Sequence, residues 1–179
     1  MDSQEKLRYP VGRLHLPKKA SRSQVSIWIA TLSLFPQEIE NRIAPLSTQE
    51  LHEWTYRPGG WSIAQVIHHC ADTHMQSYGR FKRALTEDNP VIHPYQEGKW
   101  ANLPDSELDP GASLSILKGL HLRWVAILKR LTTEDLDRTF FHTEMERKVP
   151  LMQVLAMYDW HCRHHLAHLD LAIRQNAQE

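Results

Sequence analysis

The sequence carries no excess charge of either sign: Lys plus Arg total 21 and Asp plus Glu total 21. Phosphate contacts need a clustered basic surface, so this balance removes the usual footprint of a nucleic-acid binder. The longest basic run, Pro17-Lys18-Lys19 with Arg22 nearby, reads as the solvated start of a helix. No stretch approaches the ~20 apolar residues that span a bilayer, so no membrane partner is expected. The opening residues Met1 to Lys6 contain no apolar region of the signal-peptide kind, and a cytoplasmic location is expected. Two cysteines, Cys70 and Cys162, cannot build a disulfide framework, which suits a reducing compartment. Internal repeats and low-complexity segments are also missing. At 179 residues the chain is long enough for one cored domain and too short to expect two, so residues 1–179 read as a single domain.

The surplus is in histidine, 12 in all. His161, His164, His165 and His168 crowd into eight positions, and His68, His69 and His74 into seven. Surface histidines scatter, whereas these gather on two stretches of helical character. Imidazole binds zinc, nickel, copper and iron alike, so one divalent transition metal is the first chemistry to weigh.

The helical reading rests on periodicity. Residues 1–20 carry Pro10, Gly12 and Pro17 with little period and read as an extended arm over the body. From Ser21 onward, Val25, Trp28, Ile29, Leu32 and Phe35 fall at three- and four-residue steps. Pro36 is expected to kink or break that run before Gln37 to Ile43 continue it. Ser47-Thr48-Gln49-Glu50 offers a cap for a short helix, closed by Arg57-Pro58-Gly59-Gly60. A second long helix opens on a capping box, Ser62 with Gln65, and runs to about Glu87. Residues 88–110 hold Pro90, Pro94, Pro104 and Pro110 and read as one long surface connection. Asp109 should cap a third helix, with Pro110 at its first position and Leu131 near its end. Thr139 to Val149 reads as a loop or short hairpin, and a fourth helix spans about Pro150 to Gln175. Four long helices with proline- and glycine-bearing connections argue for an all-α four-helix bundle.

At ~100° per residue, the fourth helix places Leu151, Val154, Tyr158, Cys162 and Leu169 on one apolar side. His165 lies at its edge, His161 further out, His168 beyond that, and His164 furthest toward solvent. His161 and His165 are one turn apart and can converge on one ion. Zinc enzymes with H-E-x-x-H use the same spacing, although Cys162-Arg163-His164 lacks that motif's glutamate base. Catalytic zinc takes three protein ligands and an open position, so a third imidazole must come from another helix. On the second helix His69 sits toward the edge of the apolar side, His74 nearer its middle, and His68 points away. Periodicity leaves His69 and His74 as rivals. A lone buried histidine such as His74 is ordinarily a core residue with a satisfied hydrogen bond, and solvated histidines on one helix would make a pH-sensitive surface instead. The second cluster favours metal. Cys70 and Cys162 are rotated away from their neighbouring histidines and read as small buried hydrophobes. Asp72 and Asp159 are candidates to orient an imidazole. Trp28 and Trp124 read as core, Trp61 and Trp160 as lining of a pocket.

The stretch Gly60-Trp61-Ser62-Ile63-Ala64-Gln65-Val66-Ile67-His68-His69-Cys70-Ala71-Asp72 resembles the G-W-[ST]-x-x-[QE]-V-x-x-H-x-A-D block of the DinB/YfiT-like family. Trp160-His161-Cys162-Arg163-His164-His165-Leu166-Ala167-His168 is similar to the W-H-x-x-H-H-[IL]-A-H block of its YfiT branch. Tyr9-Pro10-Val11-Gly12, Pro94-Tyr95 with Trp100, and Leu120-His121 with Arg123-Trp124 also match that branch. The one departure is Cys70, where leucine is more usual. The resemblance implies a four-helix bundle that binds one zinc or nickel per chain through His69, His161 and His165. It also implies a homodimer acting as a metal-dependent hydrolase on a small molecule. Relatives elsewhere in the family use such a site to add a low-molecular-weight thiol, bacillithiol or mycothiol, to a substrate, which makes thiol S-transfer the alternative. A non-catalytic metal-binding dimer is the third possibility. A deep pocket at the metal would separate a catalytic site from a structural one. No catalytic residue beyond the ligands is assigned.

Overall fold

The computed structural model describes residues 3–177. The N-terminal arm is not wholly extended: it opens with a short helix, α1 (Ser3–Arg8), tied by the Glu5–Arg13 ion pair at 2.7 Å. The chain then turns through Gly12, whose φ of 82° lies in the left-handed region that glycine tolerates. From there the arm is pinned along the last helix of the chain. The Gly12 carbonyl accepts from the Trp160 indole at 3.0 Å, and the Pro17 carbonyl accepts from Gln153 at 3.3 Å.

Ser21 caps α2 (Arg22–Ile43) in a reciprocal box with Gln24, and Ser47 caps α3 (Thr48–Glu53) in another with Glu50. Pro36 neither breaks nor ends α2, which runs through it for 22 residues with Leu32, Phe35 and Ile39 buried. The Ser62–Gln65 box opens α4 (Ile63–Thr86) as expected, and the Glu87 N–H closes it on the Arg83 carbonyl at 2.7 Å. Residues 88–110 are more ordered than a plain surface connection. They hold β1 (Val91–Ile92), α5 (Glu97–Trp100) and a 3-10 turn at Pro104–Glu107. This segment is held against α4 by Gln65, which donates to the Ala101 carbonyl at 3.1 Å, and by His68, bonded to the Leu108 carbonyl at 3.0 Å.

Pro110 flanks rather than begins α6 (Gly111–Leu128), and the Asp109 carboxylate accepts from the Gly111 N–H at 2.8 Å. Leu131 therefore lies past the helix end. After α7 (Thr133–Asp137), β2 (Thr139–His142) and β3 (Arg147–Pro150) form an antiparallel hairpin. β1 adds to it in parallel, with Val91 opposite Phe141. The hairpin leads straight into α8 (Leu151–Asn176), which has no breaking residue within it.

The four long helices make the bundle expected from periodicity. Each of α2 and α4 packs against both α6 and α8, so the consecutive long helices α2 and α4 sit across the diagonal. The core between them is filled by Leu32, Phe35, Ile67, Phe81, Leu117, Trp124, Leu155 and Leu169. Diagonal placement brings the histidines of α4 and α8 together across one shared interface.

Candidate metal centre

Three imidazoles meet where α4 faces α8. The ring nitrogens of His69, His161 and His165 lie within 4.8 Å of one another. His69 and His161 are closest, Nε2 to Nε2 at 3.3 Å. The ring centres of His161 and His165 are 4.3 Å apart, as one helical turn allows, and that of His69 is 5.0 Å from His165. His69 and His165 are buried, while His161 keeps part of its surface toward solvent and marks the opening of the group. Trp61 closes another side, its ring 4.7 Å from that of His69.

The electrostatics suit a cation. Burial, with help from nearby His168, holds the His69 imidazole down to about 4. Burial and the neighbouring imidazoles keep His161 and His165 well below the ordinary histidine range. At neutral pH all three rings are uncharged and each offers a lone pair. Two ligands at ~2.0–2.1 Å from a tetrahedral ion stand roughly 3.3 Å apart, which matches the observed separation of the two Nε2 atoms. The residues present therefore fit a divalent transition metal.

His74, the rival for the third position, is fully buried and bonded at both ring nitrogens. Its Nδ1 meets His121 Nε2 at 2.7 Å and its Nε2 meets His161 Nδ1 at 3.1 Å. His121 in turn donates from Nδ1 to the Leu32 carbonyl at 2.6 Å. His121 played no part in the histidine clusters of the sequence. Its signal was there nonetheless, because it shares the buried face of α6 with Leu117, Trp124 and Leu128. His68 does turn away from the group and bonds to Ser113 at 2.8 Å beneath the 88–110 segment.

Two other expectations need correction. His164 is not the most solvated of its cluster but 7% exposed, and His168 is 3% exposed. A helical wheel counts one buried side, whereas α8 is covered on a second side by the arm. His164 stacks on Trp160 at 4.3 Å and lies under Tyr9, and His168 stacks on Tyr56 at 3.9 Å. Burial lowers His164 to about 3 and His168 to about 4. Ring nitrogens of His164, His165 and His168 also approach within 4.8 Å, so His165 belongs to both groups. Neither aspartate orients an imidazole: Asp159 accepts from Thr31 at 2.6 Å and from Arg163 at 2.7 Å, and among the described residues Asp72 bonds to no histidine. The thiols are buried hydrophobes as expected, with burial pushing both Cys70 and Cys162 upward, away from the thiolate form that binds metal. A cavity of about 700 Å³ lies between α2 and α6, lined by His121, Leu122 and Val125 rather than by the triad.

Comparison with known proteins agrees with this architecture. Curated relatives from Bacillus cereus strain 03BB102 and Bacillus thuringiensis subsp. konkukian, each named "Putative metal-dependent hydrolase", are 45% identical over 163 residues. That covers 91% of this chain and 93% of theirs. The solved structure of YfiT from Bacillus subtilis, described as a probable metal-dependent hydrolase with an unusual four-helix bundle topology, superposes with a TM-score of 0.92. It is 39% identical, covering 96% of this chain and 98% of that one. A mycothiol-dependent maleylpyruvate isomerase shares the fold at a TM-score of 0.64 and 16% identity, covering 84% of this chain and 66% of that one. The DinB superfamily profile matches residues 31–169, a span that includes every histidine of the two groups, and the chain belongs to that superfamily.

Proposed function

We propose that residues 1–179 work as one metal-binding bundle domain and that the protein is a metal-dependent hydrolase of a small molecule. His69, His161 and His165 hold one zinc or nickel per chain. The observation that carries this is the 3.3 Å between the Nε2 atoms of His69 and His161, with His165 completing the triad. A metal held by three imidazoles keeps a position open and supplies Lewis acidity, lowering the pKa of a water toward ~7 or polarising a carbonyl. The chain's own share is orientation. Three neutral rings converge, Trp61 walls one side, and His161, which keeps part of its surface toward solvent, marks the way in.

A second reading is favoured by the composition of the group, which contains histidine and no carboxylate. Hydrolysis needs a base for water, and a ring held to about 3 or 4, such as His164 or His168, is a weak one. A thiol needs only to be held as thiolate. The alternative is therefore S-transfer from bacillithiol or a similar low-molecular-weight thiol, on the bundle shared with the mycothiol-dependent enzyme. A homodimer is supported by Ile27 and Leu34 of α2 and Leu122 of α6, large apolar side chains exposed in the single chain. The two free cysteines suit a reducing cytoplasm.

Elemental analysis of untagged protein, beside His165→Ala and His164→Ala variants, tests the site. About one metal per chain in the wild type and in His164→Ala, and none in His165→Ala, is expected. Hydrolytic and thiol-transfer assays on the metal-loaded protein then separate the two enzymatic readings. Wild-type protein that carries no metal and refuses added zinc would sink both.

A further inference from the structure

Pro36 lies inside α2 and has no N–H to give to the carbonyl one turn earlier, that of Leu32. A buried carbonyl does not stay unpaired, and this one accepts from His121 Nδ1 at 2.6 Å. The consequence runs through three rings. A neutral imidazole that donates from one nitrogen accepts at the other. Because a carbonyl only accepts, His121 carries its proton on Nδ1 and leaves Nε2 bare. That Nε2 accepts from His74 Nδ1 at 2.7 Å, which leaves His74 Nε2 bare in turn. His74 Nε2 accepts from His161 Nδ1 at 3.1 Å. His161 is left with its lone pair on Nε2, the atom 3.3 Å from His69 Nε2.

We infer that His121 and His74 are positioning residues that fix the tautomer of His161, holding its Nε2 bare and aimed at the triad before any ion arrives. The nitrogen an imidazole offers to a metal is set by the hydrogen bond its other nitrogen makes. That bond commonly goes to a carboxylate or carbonyl, and here it reaches a backbone oxygen through two further imidazoles. The anchor is rigid: His121 is buried on α6, its ring 5.6 Å from that of Phe35, and Leu32 is locked in the continuous helix α2. Burial also keeps His121 uncharged at neutral pH, as the chain of single donors requires. The inference rests on the reading of His69, His161 and His165 as ligands, and it adds what sets one of them.

The test has two arms. In metal-free wild-type protein, the ¹⁵N shifts and long-range ¹H–¹⁵N couplings of His161 should show the proton on Nδ1; a proton settled on Nε2 overturns the inference. Zinc affinity is then compared for wild type, His121→Phe and His121→Gln, on protein shown by circular dichroism to be folded. Phe removes the acceptor that His74 needs, and about tenfold weaker zinc binding is expected, the low end of what the loss of such an outer partner costs. Gln keeps an acceptor at that point and should bind within about twofold of wild type. Equal affinity in all three overturns the inference. Wild-type protein that binds no zinc at all instead removes the ligand assignment, and the metal-free spectrum then judges the tautomer by itself.

Discussion

Two pairs of histidines in this bundle are about equally buried and differently satisfied. His74 and His121, in the interior between α2, α4 and α6, have a partner at every ring nitrogen. His164 and His168, on α8 beneath the arm, are covered mainly by aromatic faces. Among the described residues, the Nδ1 of His164 and both nitrogens of His168 have no hydrogen-bond partner at close geometry, and the polar groups nearest His168 are the backbone of Leu7 and Arg8 in the arm. Burial by itself therefore says little about role. A ring bonded at both nitrogens can act only through its neighbours, whereas a ring with a bare nitrogen still has something to offer a ligand or a proton.

The comparison breaks first under acid, because both pairs share one property with the triad. Every ring of His69, His74, His121, His161, His164, His165 and His168 is held below its ordinary value, chiefly by burial. The unfolded chain therefore takes up protons near pH 6.5 that the fold refuses. The stability this gives is complete above that pH and is lost as pH falls toward 4. Each such ring contributes a slope of roughly 1.4 kcal/mol per pH unit in that window. Urea unfolding of metal-free protein across pH 7 to 4 should show a steep, multi-proton loss, and a flat profile would mean that the rings protonate inside the fold.

A smaller effect separates the two pairs. His74→Ala removes a fully buried ring and strands His121 Nε2 and His161 Nδ1. A cost of about 3 kcal/mol is expected from the cavity and the unpaired nitrogens together, read from the urea midpoint at pH 7.5. The smallest effect has the opposite sign. His168→Leu replaces a ring that has no close hydrogen-bond partner among the described residues by an apolar side chain of similar volume, and a gain of up to about 1 kcal/mol is expected in metal-free protein. A loss of several kcal/mol, or a fall in metal content, would show that the two pairs are not so different.

Much of the fold was legible along the chain. The capping boxes at Ser62 and Ser47, the period of Leu32 and Phe35, and the four long helices follow from local rules, since each depends on neighbours within a turn or two. Less legible were the helix in the arm and the order within residues 88–110, where short elements are held by distant partners such as Trp160 and Gln65. The histidine clusters themselves were plain, and one turn of helix dictates that His161 and His165 lie side by side. The wheel also placed His74 in the apolar interior. It misjudged His164 because nothing local announces that the arm folds back across α8.

By itself, then, the sequence determined the helices, their caps, the apolar sides and the pairing of His161 with His165, because each is a matter of backbone hydrogen bonds and a fixed rotation per residue. Only the tertiary structure decided that His69 meets that pair while His74 stands behind it, that His121 joins His74 from a third helix, and that Pro36 frees a carbonyl to receive it. Those outcomes depend on which helices share an interface, and that is set by the packing of the whole bundle rather than by any one stretch of it.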